Sequence, residues 1–217
     1  MTTDRFEHQT YQVRKKFFKI FGGAFHIYDP TGQVAFYSRL KAFKLKEDIR
    51  VYTGEDMQTE ALAIRARQLL DIAATYDVVD SATNEKVGAL RRKALKSMVK
   101  DEWVLLDSAD REIGLIKEDS VMLALARRLL TNLIPQKFIG EINGIQVFTM
   151  KQRFNPLILK IDIDFSPGVG RQPDAGWQSD SGGQSDSGWR SDSEQRLDKR
   201  LGIAAAVLLC AIEGRQR

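Results

Sequence analysis

A chain of 217 residues with 43% hydrophobic and 29% charged side chains suits one globular domain with a sizeable core. Its 33 Lys and Arg against 29 Asp and Glu give a formal charge of +4, which permits an anionic partner such as phosphate, a lipid head group or nucleic acid without demanding one. The lone Cys210 excludes an internal disulfide framework and a thiolate-based metal site, and suits a reducing compartment.

Residues 1–10 read as a polar N-terminal tail of mixed charge. They carry neither a secretory apolar region nor an acid-free, Arg-rich transit helix, so the cytoplasm is the expected compartment. From there to residue 165, short alternating segments recur between turn signals. FHIYD and QVAFYS flank a Pro-Thr-Gly turn. YDVVD-SATNE-KVGALRR and WVLLD-SAD-REIGLIKE repeat one plan: an apolar strand closed by Asp80 or Asp107, a polar turn, and a return strand carrying Gly88 or Gly114. LKEDIRVY and LAIRARQLL fit period two better than period 3.6. Residues 120–134 read as a helix capped by Ser120 and stopped by Pro135. Asn143-Gly144 is the strongest hairpin signal of the set, and LILKIDIDF places Leu157, Leu159, Ile161, Ile163 and Phe165 on one face. Residues 166–195 include three near-copies of a hexamer, QSDSGG, QSDSGW and RSDSEQ, and read as a disordered insertion or, alternatively, a phosphorylatable or partner-binding tether anchored by Trp177 and Trp189.

The chain closes with a helix expected over about 194–213, with Ser191 and Glu194 as its capping box and Gly214 beyond its end. Leu201 to Ile212 is apolar throughout, yet twelve residues are too few for a bilayer, which takes roughly 20. A helix apolar all round must be surrounded. Roughly ten to twelve strands in sequential hairpins tend to close. The expected fold is therefore mainly β: a closed antiparallel barrel around a central hydrophobic C-terminal helix, forming a single domain over 11–217.

YQVRKKFFKIFGGAFHIYDPTGQVAFYSRLKAFKLKEDIRVY, TYDVVDSATNEKVGALRRKALKSMVKDEW, DREIGLIKEDS, NLIPQKFIG, KQRFNPLILK and LDKRLGIAAAVLLCAIEGRQ together resemble the bacterial LURP-one-related proteins, over roughly residues 11–165 and 197–216. That family is similar in fold to the C-terminal domain of tubby proteins and to phospholipid scramblases. The resemblance implies twelve strands enclosing the helix, and it transfers no activity; tubby domains bind phosphoinositides and scramblases act on phospholipids.

No catalytic constellation is expected. His8 and His26 have no second ligand at metal spacing, and Cys210 in apolar surroundings is inert. Asp162 and Asp164 share a strand face as solvated carboxylates, and Gly22-Gly23 marks a strand bend or bulge rather than a phosphate loop. No cofactor is implied. Three basic clusters remain as the candidate ligand surface: Arg14, Lys15, Lys16 and Lys19; Lys41, Lys44 and Lys46; Arg91, Arg92, Lys93 and Lys96. Two of them on neighbouring strands would form a groove for a phosphorylated head group. The expected function is a non-catalytic module binding anionic phospholipid or another phosphorylated ligand, cytoplasmic and peripheral at the membrane. A protein-interaction scaffold is the alternative, and a scramblase-like transporter is disfavoured by the lack of an acylation Cys cluster or calcium loop. Nucleic acid is disfavoured because the strands show no clear row of exposed aromatics.

Overall fold

Strand and turn alternate along this chain because apolar residues repeat at every second position and turn residues, Asp29, Asp80, Asp107 and Asn143-Gly144 among them, close the runs. The structure, a computed structural model, describes residues 3–16, 23–40, 48–67, 74–93, 102–119, 136–153, 158–166 and 197–212. Twelve strands result: β1 (Thr10–Lys16), β2 (Gly23–Tyr28), β3 (Val34–Leu40), β4 (Asp48–Tyr52), β5 (Glu60–Ala66), β6 (Thr75–Asp80), β7 (Lys86–Arg92), β8 (Glu102–Leu106), β9 (Glu112–Glu118), β10 (Lys137–Ile142), β11 (Ile145–Arg153) and β12 (Ile158–Asp164). Each pairs antiparallel with its sequence neighbours, and β1 pairs with β12 from Thr10↔Asp164 to Lys16↔Ile158, so the sheet closes and leaves no edge.

The turns show why Asp stands where it does. Asp29 Oδ1 accepts the amides of Thr31 and Gln33, Asp80 Oδ1 those of Ala82 and Thr83, and Asp107 Oδ1 those of Ala109 and Arg111. Each carboxylate thereby pairs donors that a reversing backbone leaves open. Asn143 and Gly144 both take positive φ, 51° and 79°, as a two-residue turn with the strands' own twist requires. These hairpins share one end of the barrel. Each of these four and the β4–β5 hairpin has a register shift close to its turn, at Ile27/Tyr28, Val78/Val79, Leu105/Leu106, Gly140/Glu141 and Val51/Tyr52, which curves the sheet toward closure. In β2 the irregularity is thus at Ile27/Tyr28, and Gly23 pairs regularly with Leu40.

The helix α1 (Lys199–Ile212) fills the barrel. Leu201 to Ala211 are buried without a break, so every face of three turns is covered, and they join one cluster with inward residues of all twelve strands. At 14 residues α1 is about 21 Å long, which matches strands of seven residues. Its start differs from the sequence expectation. Leu197 and Asp198 are not helical; the Asp198 side chain accepts the Arg200 amide and its carbonyl accepts those of Leu201 and Gly202, so Asp198 is the cap instead of Ser191. The helix read over 120–134, the insertion beyond Ser166 and Gly214 lie outside the described residues. No described helix is long and apolar enough to cross a membrane.

The hairpin end is where α1 enters, and it is fastened there. Arg200 Nη1 lies 2.7 Å from Asp80 Oδ2, and Lys199 Nζ donates to the Glu7 carbonyl at 2.8 Å. The segment read as a free polar tail packs instead: Thr3–Phe6 forms a 3-10 turn, Phe6 is buried 4.5 Å from the Phe36 ring centroid, and Arg5 donates to the carbonyls of Val34, Ala35 and Thr53. A single guanidinium nitrogen, Arg5 Nη1, is thus shared among three backbone carbonyls, which a polar composition alone does not reveal.

Burial raises the proton affinity of Asp80, but Arg200 and the amides of Ala82 and Thr83 outweigh it and hold the carboxyl below its ordinary value of 3.8. A depressed folded pKa contributes stability that is present above 3.8 and lost as pH falls through the folded value. Asp80→Asn should lower the thermal midpoint at pH 7 by about 2–4 °C, for a loss of about 1 kcal/mol. The gap between the two proteins should close as pH falls below about 4. A gap constant down to pH 2.5 would refute the latch.

Candidate functional site

Of the basic clusters, the described residues place Arg14, Lys15 and Lys16 on β1 and Arg91 and Arg92 on β7, six strands away around the barrel, so these two groups are not on adjacent strands. Strand parity then divides both of these groups. Lys15 lies on the inward side of β1 with Tyr11 and Val13, its Nζ 5.1 Å from the Phe25 ring centroid. Arg92 pairs with the buried Trp103 and shares its inward side. Both leave the outer surface to their neighbours. Arg91 is paired with Glu112, and Lys93 Nζ stands 3.3 Å from Glu102. Lys16 ends β1 opposite Ile158. Lys19, Lys41, Lys44, Lys46 and Lys96 lie outside the described residues.

What the closure of the barrel does assemble is a single row across six strands. Arg153 on β11 is opposite Lys160 on β12, Lys160 is opposite Arg14 on β1, and Arg14 is opposite His26 on β2. His26 is opposite Tyr37 on β3, and Tyr37 is opposite Tyr52 on β4. All six alternate with core residues and point outward. At the usual spacing the row is about 24 Å long. Three cations occupy one half and three rings the other.

The cationic half is electrostatically open. Arg14 Nε donates to Gln12 Oε1 at 2.5 Å, and its guanidinium lies 4.2 Å over the Tyr28 ring, with no ion pair among the described residues. Lys160 makes no ion pair among the described residues. Arg153 has one partner, Asp162, whose other oxygen accepts from Gln12 Nε2 at 2.7 Å. Around β5, β6 and β7, by contrast, several cations are paired. Arg67 Nη2 stands 2.7 Å from Asp77, Lys86 stands 2.6 Å from Asp110, and Arg67 also reaches Asp110. Beside the row a cleft of about 430 Å³ opens, lined among others by Arg14, Tyr28, Arg153, Asp29, Asp162 and Asp164. Its carboxylates are occupied: Asp164 Oδ1 accepts the Ser166 amide, and the Asp29 turn is described above.

The aromatic half is packed and held. His26 lies 5.1 Å from Tyr37, edge to face, and stacks at 6.2 Å on Tyr28, while its Nε2 is 3.0 Å from Glu55 Oε1. This row of outward rings is what the sequence reading missed, since no segment by itself contains more than two of its members. The pattern becomes visible only with the β2–β3 and β3–β4 registers in hand. Among the described residues no group of three His, Cys, Asp or Glu side chains is placed to hold a metal ion.

No family model, curated protein or solved structure matches the chain.

Proposed function

We propose that this chain is a non-catalytic binding module of the LURP-one-related kind, which holds the phosphorylated head group of an anionic phospholipid, or another phosphorylated ligand, on its basic outer strands. One observation carries the reading: Arg14 and Lys160 are adjacent in the row, outward and without an ion pair among the described residues, with Arg153 beside them. Guanidinium and ammonium groups that share a face and lack carboxylate partners are the arrangement that charge-assisted hydrogen bonds to phosphate need. The resemblance to a family similar in fold to tubby domains and scramblases supports a lipid as the source of that phosphate, and with it a cytoplasmic location peripheral to the membrane.

Sedimentation with phosphatidylcholine vesicles, with and without phosphatidylserine, tests it at low salt. The protein should be retained by the anionic vesicles alone. Arg14→Gln with Lys160→Gln should weaken retention by about thirtyfold, at about 1 kcal/mol for each cation. Arg91→Gln with Lys93→Gln, whose cations already have carboxylate partners, should change it little. Equal recovery on neutral and anionic vesicles would sink the lipid reading and leave a protein-interaction scaffold.

A further inference from the structure

A phosphorylated ligand held by Arg153, Lys160 and Arg14 accounts for only half of the row. The other half is His26, Tyr37 and Tyr52, outward, half-buried and continuous in register with the cations. Charge and aromatic surface are segregated along one line rather than interleaved. A single strand of nucleic acid alternates phosphate and base along its whole path and would call for both along the whole row. A lipid head group has no flat ring to lay on Tyr37. A single nucleotide has this segregation: phosphates at one end, a planar base at the other, a ribose between them.

We propose that the row binds a nucleoside di- or triphosphate lying across the strands, with its phosphates on Arg153, Lys160 and Arg14 and its base against Tyr37 and Tyr52. This rests on the phosphorylated-ligand reading of the same site and adds the class of ligand. The span agrees: from Lys160 to Tyr37 is three strand intervals, about 14 Å. The platform is prepared. His26 is fixed between Glu55 and the edge of Tyr37, and one face of Tyr28 is already covered by the Arg14 guanidinium, which leaves Tyr37 and Tyr52 as the rings for the base. Asp29, Asp162 and Asp164 line the cleft on the hairpin side of the row and disfavour an anion there, so the phosphates seat on the row itself.

Isothermal titration of the full chain with ADP, inorganic pyrophosphate and adenosine separates the two halves. ADP should bind at least about tenfold more tightly than pyrophosphate, the gain expected of one stacked base. Lys160→Gln should weaken ADP and pyrophosphate alike, by about tenfold, through loss of a charge-assisted contact. Tyr37→Leu should reduce ADP to the affinity of pyrophosphate while leaving pyrophosphate unchanged, which also shows that the variant is folded. Equal affinity for ADP and pyrophosphate, or an ADP affinity untouched by Tyr37→Leu, would overturn the nucleotide assignment and leave the phosphorylated-ligand reading standing. Binding of neither, in a protein that anionic vesicles also fail to retain, would overturn both.

Discussion

Ending the chain at Gln195 should unfold the whole barrel and leave the strands aggregating. The segment removed carries Leu201, Ile203, Val207, Leu208 and Leu209, all at most 4% exposed, besides four alanines and Cys210. Burial of each large aliphatic side chain contributes about 1.5–3 kcal/mol, so these five alone account for on the order of 10 kcal/mol. That equals the entire net stability of a typical domain, about 5–15 kcal/mol. The loss does not stop there, because the inward residues that face α1, among them Leu62, Val78 and Leu90, would line an empty or flooded lumen. A helix docked on an outer surface would behave differently: its removal would expose one face and leave the barrel folded. Near-UV circular dichroism and Trp103 fluorescence in a Trp177→Phe, Trp189→Phe background read the outcome, since Trp103 is 1% exposed in the intact core. A truncated protein that stays soluble and melts cooperatively would show that the helix is dispensable to the barrel.

The parts of this fold legible in the sequence are those set by neighbours along the chain. Asp29, Asp80 and Asp107 mark their turns because each carboxylate bonds amides two to four residues on, and Asn143-Gly144 marks its turn by positive φ. The apolar stretch of α1 was legible for the same reason, since no periodicity had to be resolved. Its first residue was not. Asp198 and Ser191 are both cap residues by type, and the choice depends on where the chain meets Asp80 of β6, 120 residues from Arg200. Clustered charge was misleading in a definite way. In a strand, consecutive residues alternate sides, so Arg14 and Lys15 cannot both face solvent, nor can Arg91 and Arg92. The binding row shows the limit most sharply. Arg153 and Lys160 are near in sequence, but Arg14 joins them only because β1 closes on β12, a pairing between positions 146 residues apart in the case of Lys160. Periodicity gives the side of a strand and says nothing about its register with a distant one.

Gly114→Val should be the most damaging single substitution in the sheet, and it tests the closure directly. A Cβ at Gly114 would lie 2.1 Å from the Glu141 carbonyl oxygen and 3.0 Å from Ile142 Cγ1. The first of these is backbone on β10, directly across the ladder from β9, so no rotamer change relieves it. Either the β9–β10 pairing opens or β9 bends inward against α1. Overpacking in a close-packed interior costs about 1–3 kcal/mol and more when backbone must move. Opening the ladder adds unpaired amides and carbonyls in a barrel that has no other edge. A loss of about 3 kcal/mol or more is therefore expected, with a fall in thermal midpoint of about 6–12 °C for a chain of this length. Gly144→Ala is the control. Its residue also has positive φ, yet nothing lies within 4 Å of a Cβ there, so only the local conformational cost of about 1 kcal/mol applies. Amide hydrogen exchange distinguishes the two routes to damage: Gly114→Val should deprotect Leu115, Ile116 and Ile139 along the β9–β10 seam, whereas Gly144→Ala should leave that seam protected. Equal loss of stability in the two variants would mean that β10 is free to move away from β9, and that the ring of twelve strands is not tightly closed at this seam.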